Sequence, residues 1–501
     1  MNPLRIKTLI FPLLSLIFCT ACMDDDDFTT SVSDRLYFST DTLSLDTVIT
    51  GQPTSTYSFS VYNPHAKNIR IRSVRLNGGV QSPFRVNVDG IYINEGYEGT
   101  IDIRKKDSIA VFVSLTVPHI GSEALQTVRD KIQFMLESGA VQDVCLEATG
   151  QDVHTLKGAV IKSDTTFSGK IPFHIFDSLY VSENATLTVS PGVTFYFHPG
   201  AELKIAGRLQ ARGTLQSPIV FRGDRLDYMF PNQPYDCIPG QWKGLRFLPR
   251  SFQNILDYCD IHSAQTGIRC DSSDLSDLKL RIENSMIHNM KGNALELRSC
   301  QAYVGNSQLS NALDNCVAIY GGETNFVHCT IANFYPFDFI RGGALYFANA
   351  DGESVYPLRG TTFTNCILTG GMSDAVSGVS SDKESPFNYH FSHCLVAMEN
   401  GETDENFHNV LWDAETNEVY GSKNFRPFNL DFLLFDFRLD SLSAAIGNAD
   451  YEVTVNSYPF DRNGVSRTTD GHSDMGCYEF ISSDPRRSKR QTSNKHLTVL
   501  R

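Results

Sequence analysis

Asn284-Ser285-Met286-Ile287, Asn306-Ser307-Gln308-Leu309 and Asn365-Cys366-Ile367-Leu368 repeat one pattern: a polar residue that favours turns, a small residue, and an aliphatic residue two places later. Tyr258-Cys259-Asp260-Ile261, His328-Cys329-Thr330-Ile331 and His393-Cys394-Leu395-Val396 bring the copies to six, with successive small residues 26, 22, 22, 37 and 28 positions apart. A period near 22 with insertions is the coil length of a solenoid, whose stacked repeats bury one continuous core. Side chains alternate along a strand, so the small and aliphatic residues of each copy share one face, and stacking turns that face inward. The preceding Asn284, Asn306 and Asn365, with His328 and His393 as variants, then fall at a corner between strands. Asparagine tolerates positive φ there and can bond to its equivalent in the next coil.

The flanks extend the pattern. Leu187-Thr188-Val189-Ser190-Pro191-Gly192, Gly200-Ala201-Glu202-Leu203-Lys204-Ile205 and Trp242-Lys243-Gly244-Leu245 lie upstream, and Asp461-Arg462-Asn463-Gly464 and Asp474-Met475-Gly476-Cys477-Tyr478 lie downstream. With the six copies they resemble the right-handed parallel β-helix, and the resemblance covers residues 154–480. It implies that the downstream segment caps the end of the solenoid. Residues 31–152 follow another rhythm, alternating apolar and polar residues in short runs such as Tyr57-Phe59-Val61, Phe84-Val86-Val88 and Ile109-Val111-Val113. Turns at Asn63-Pro64, Asn77-Gly78 and Asp89-Gly90 separate them, so seven or eight strands in a β-sandwich are expected. This region resembles the immunoglobulin-like modules of surface lipoproteins, which implies a spacer. The predicted fold class is all-β, a small immunoglobulin-like sandwich followed by a parallel β-helix.

The chain has 501 residues, 41% of them hydrophobic and 20% charged, which suits two to four globular domains and excludes wholesale disorder. Its net charge is −14, and the last 21 residues are basic, so residues 1–480 carry about −19. Such a body repels phosphate backbones, and no nucleic-acid partner is expected. Arg5 and Lys7, the apolar run Leu9 to Phe18, and small Thr20 and Ala21 read as a signal peptide over residues 1–21. Cys19-Thr20-Ala21-Cys22 resembles a bacterial lipobox, which implies lipid on the sulfur of Cys22 and a membrane held through that anchor. Asp24, Asp25, Asp26 and Asp27 follow at once, resembling the acidic signal that sends lipoproteins of some Gram-negative bacteria to the outer face of the outer membrane. Residues 22–30 also serve as a tether, and residues 481–501 are expected to be a disordered basic tail.

Cys259, Cys329, Cys366 and Cys394 share a repeat column with Ser285 and Ser307, so a small inward side chain is what the position requires. Buried free thiols are expected, since stacked strands hold Cβ atoms roughly 4.8 Å apart, slightly too far for an unstrained bridge. Asp271, Asp274 and Asp277 occupy an insertion and offer hard oxygen ligands that could hold Ca²⁺, although their spacing fits no standard loop; otherwise no cofactor is expected. The Arg-x-Pro-x-x-Arg motif of pectate lyases and the Asn-Thr-Asp, Asp-Asp and Gly-His-Gly motifs of polygalacturonases are missing from residues 154–480. Two insertions are rich in aromatics, with Tyr228, Phe230 and Tyr235 in one and Phe334, Tyr335 and Phe337 in the other. Rings of this kind stack on sugars, or fold back over the flank of a solenoid. The sequence thus favours a monomeric, non-catalytic surface lipoprotein that binds extracellular polysaccharide or another macromolecule. The alternative is a polysaccharide lyase or hydrolase of pectate-lyase-like fold.

Overall fold

The computed structural model describes residues 27–481 apart from 94, 95, 98, 231, 400, 402, 403 and 415–419. Cys22, Asp24, Asp25 and Asp26, the expected signal peptide and the residues beyond 481 lie outside the described residues. The chain divides into two compact units between Gln151 and Asp152.

The first unit holds two five-stranded sheets. Tyr57–Tyr62, Ser108–Leu115 and Phe84–Val88 form the middle of one; Val141–Gln151, Gln126–Leu136 and Ile69–Leu76 form the middle of the other. Alternation turns Val61, Val86 and Val113 of the first sheet and Ile71, Phe134 and Leu146 of the second into one apolar core. Ten strands lie among the described residues of this unit, where the pattern predicted seven or eight. Tyr37–Phe38, Ile91–Tyr92 and Ile101–Ile103 are too short to show a period in sequence.

The second unit is a parallel β-helix in which 26 strands form one continuous ladder. Each coil contributes strands to three stacked columns. In the first column Phe195 pairs in register with Phe221, Phe221 with Ile261, Ile261 with Ile287, and Ile287 with Leu309, all fully buried. The positions between them, Tyr196, Arg222, His262, His288 and Ser310, therefore point outward. A second column runs through Glu202–Ile205, Gly244–Phe247 and Ile268–Cys270, and a third through Arg208–Arg212, Asn254–Asp257 and Leu278–Glu283.

The corner from the third column back to the first is the one read from the repeats. Asn284, Asn306, His328, Asn365 and His393 all have φ between 49° and 57°. Asn306 donates through Nδ2 to Asn284 Oδ1 at 2.8 Å, and Asn284 donates to Asp257 Oδ1 at 2.8 Å, so the ladder is continuous over three coils. One step on, Cys259, Cys329, Cys366 and Cys394 are fully buried free thiols. Their column does more than save space. The Cys259 amide donates to Ser285 Oγ at 2.9 Å, the Ser285 amide to Ser307 Oγ at 3.0 Å, and the Cys329 amide to Cys366 Sγ at 3.4 Å. The position thus calls for a small side chain that also accepts a hydrogen bond.

The closing segment, expected as an end cap, instead belongs to a strap, residues 425–480, that runs along the side of the solenoid. Tyr458 donates to Glu283 Oε1 at 2.9 Å, Arg467 to Asn306 Oδ1 at 2.9 Å, Tyr478 to Gln308 Oε1 at 2.7 Å, and the Asp450 amide to Asn365 Oδ1 at 2.7 Å. These contacts span four successive coils. Arg467 is fully buried and reaches Glu479 at 3.2 Å, which fastens the strap to the corner ladder.

Candidate functional site

The outward side of the first strand column carries two clusters of histidine and aspartate. His288 lies in register with His262, and their rings stack at 5.0 Å. His288 Nε2 lies 3.1 Å from Asp260 Oδ1, which is 2.9 Å from His262 Nδ1; His262 Nε2 is 2.7 Å from Asp236 Oδ1, and Arg222 reaches that same oxygen at 2.9 Å. The result is an alternating chain of imidazole, carboxylate, imidazole, carboxylate and guanidinium. Burial alone would pull the His262 imidazole down, but the charges of Asp260 and Asp236 hold it up at about 9. Burial likewise works against ionised Asp260 and Asp236, and the imidazoles, with Arg222 at Asp236, outweigh it and hold both carboxyls below their usual range.

His288 is the end of this chain that meets a cavity. An open cleft of about 380 Å³ lies between the sheet, the strap and the first insertion, with Met286, His288, Gln308 and Ser310 as floor, Phe435, Arg438 and Tyr478 from the strap, and Cys237 from the insertion. Asp236 on that insertion is drawn down by His262, and Ser263 donates to its backbone carbonyl. The loop is thereby fastened over the column.

A second cluster occupies the opening coils of the same column. Asp224 Oδ2 lies 3.0 Å from His174 Nε2 and 2.7 Å from His198 Nδ1. His174 is fully buried, Asp224 nearly so, and the His198 side chain is 46% exposed. Burial pushes the Asp224 carboxyl up, and its bonds to both imidazoles more than reverse that. Phe176 packs against the His174 ring at 4.4 Å and the His198 ring at 4.5 Å.

Neither cluster was singled out in sequence. The signal lay further along the same strands: three places after Cys259, Ser285, Ser307, Cys329 and Cys366 stand His262, His288, Ser310, Ala332 and Thr369. Two imidazoles in successive outward positions are visible there, but the carboxylate that completes each set lies at a neighbouring position or on an insertion.

The aromatic insertions leave the same edge of the solenoid, the one after the first column. Tyr228 and Phe230 are about half exposed on a short hairpin with Gln233–Pro234. Tyr235 is held down under the Arg225 guanidinium at 3.7 Å. In the other insertion Phe337 is exposed, with Phe339 and Ile340 projecting fully into solvent. Phe334 turns inward and meets Phe428 of the strap at 5.1 Å, and Tyr335 is buried. The six aromatics named from sequence therefore divide into three that face solvent and three that hold the loops in place. Asp271 faces two cations, Arg246 at 3.0 Å and Arg269 at 3.3 Å, whereas Asp274 and Asp277 are exposed and Asp274 Oδ1 accepts the Ser276 amide. Of these three only Asp271 is tied into a charged network.

No family model matches the chain, and no curated protein does. Solved structures match about a quarter of it: the ASH/PapD-like domain of human CEP192 at 9% identity and TM-score 0.17, covering 25% of this chain and 89% of that one. A family 123 glycoside hydrolase from Clostridium perfringens matches at 8% identity and TM-score 0.18, covering 25% and 26%. A protein of unknown function from Porphyromonas gingivalis matches at 16% identity and TM-score 0.17, covering 27% and 60%. None of these likenesses is close enough to transfer a function. No helix among the described residues is long and apolar enough to cross a membrane.

Proposed function

We propose that this chain is a surface lipoprotein, lipidated at Cys22 and exported to the outer face of the outer membrane by the Asp24 to Asp27 run. In this reading the sandwich is an immunoglobulin-like spacer, and the β-helix holds an extended extracellular polysaccharide. One observation carries the binding half: exposed Tyr228 and Phe230 on one insertion and exposed Phe337 and Phe339 on the other emerge from the same edge. Four coil steps separate them, roughly 19 Å at about 4.8 Å per step, which suits a chain of several sugar rings. The cavity floored by His288, Gln308 and Ser310 lies on the adjoining face and supplies polar groups for hydroxyls.

Affinity electrophoresis through immobilised polysaccharides tests this directly. Truncating Tyr228, Phe230, Phe337 and Phe339 together to Ala is expected to weaken retention on the order of tenfold or more with an unchanged circular dichroism spectrum. Equal retention overturns the glycan reading. Fatty-acid labelling that survives Cys22→Ala overturns the anchor.

A second reading, a polysaccharide lyase or hydrolase, is favoured by His288, an imidazole at a cavity wall backed by a carboxylate as a general base would be. It predicts new unsaturated or reducing chain ends from a uronate polymer, lost in His288→Ala.

A further inference from the structure

We infer that His174, His198 and Asp224 form a binding site for one divalent transition-metal ion, such as Zn²⁺. Nε2 of His174, Nδ1 of His198 and a carboxylate oxygen of Asp224 all lie within 4.8 Å of one another. Two nitrogens and one oxygen are the donor set that zinc and its first-row neighbours take, whereas Ca²⁺ and Mg²⁺ call for oxygen throughout. Three protein ligands leave a coordination position for water or another ligand.

The solenoid holds this set in place without the ion. Phe173 pairs with Phe195 and Phe195 with Phe221, so three successive coils place His174, His198 and Asp224 by backbone register. The present N···O separations of 2.7 and 3.0 Å need to open to roughly 3.4 Å for ligands about 2.1 Å from a tetrahedral ion. His198 follows the last residue of its strand and is half exposed, so it can supply that movement and the ion can enter beside it. Each imidazole coordinates through the nitrogen that faces Asp224 and keeps its proton on the other nitrogen. Phe176, against both rings, gives the site a dry wall.

The Asp260, His262 and His288 cluster also gathers three ligand atoms. His262 commits both ring nitrogens to carboxylates, Asp260 on one side and Asp236 on the other, so a metal there would have to break an ion pair first.

The test uses the purified full chain without a histidine tag, stripped with chelator and titrated with Zn²⁺ in a calorimeter and with Co²⁺ by visible absorption. The expected result is one equivalent of Zn²⁺, a Co²⁺ ligand-field band, and no response to Ca²⁺. His198→Ala, at a half-exposed position, should weaken Zn²⁺ on the order of 100-fold, and the near-isosteric Asp224→Asn at least about tenfold, both with unchanged circular dichroism. His288→Ala should bind as the parent does. Affinity that is the same in the parent, His198→Ala and Asp224→Asn overturns the proposal, as does loss of the site in His288→Ala.

Discussion

Two sets of histidine and aspartate stand on the outward side of one strand column, and they have become different things. Around Asp224 one carboxylate serves two imidazoles; around His262 two carboxylates enclose one imidazole, with Arg222 closing the chain beyond Asp236. The first set leaves a half-exposed imidazole at the mouth of a preformed cluster, whereas the second is an ion-pair chain whose charges are spent on each other. Residue type alone therefore does not separate a metal site from a structural relay. The ratio of carboxylates to imidazoles does, together with which side chain reaches water.

The largest effect that would sharpen this contrast is expected from Asp260→Ala. It removes the carboxylate shared by His262 and His288 and leaves a buried imidazolium short of a partner, which should destabilise the β-helix unfolding transition by about 3–5 kcal/mol. A melting temperature close to that of the parent would make the relay an ornament. Next comes the pH dependence. Because the folded His262 is raised to about 9 from an ordinary 6.5, its contribution is fully present below about pH 6.5 and is lost as pH rises through about 9. Asp260 and Asp236 are lowered, so theirs is present above about pH 4 and is lost as pH falls through their folded values. Melting between pH 6.5 and 9.5 should cost the parent roughly 3 kcal/mol more than His262→Gln; parallel profiles would break the assignment. The smallest effect is expected at the other cluster. His198→Gln, in chelator, should cost no more than about 1 kcal/mol, since a half-exposed imidazole gains little from its carboxylate. A larger loss without metal would make that cluster structural too.

Legibility tracked locality. The corner asparagines and the thiol column could be read because each repeats at a near-constant interval and is required by its own coil: positive φ at Asn284 and Asn306, and a small hydrogen-bonding side chain at Ser285 and Cys329. Phe334 and Tyr335 could not be told from Phe337, because their burial depends on Phe428 and the loop around Arg341. The strap was misplaced for a similar reason. Its turns at Asp461 and Asp474 read as a closing element, and only its contacts with Glu283, Asn306 and Asn365, more than 80 residues away, show where it lies.

By itself the sequence determined that the chain alternates in strands, changes rhythm near residue 152, stacks coils near 22 residues long and turns Cys259, Cys329, Cys366 and Cys394 inward, because strand period and corner conformation are properties of a few neighbouring residues. Tertiary structure alone decided which charged residues meet. His174, His198 and Asp224 are as much as 50 positions apart, and Asp236 reaches His262 across an insertion. The in-register stacking of parallel coils makes such distant positions neighbours, and no local pattern has to record it.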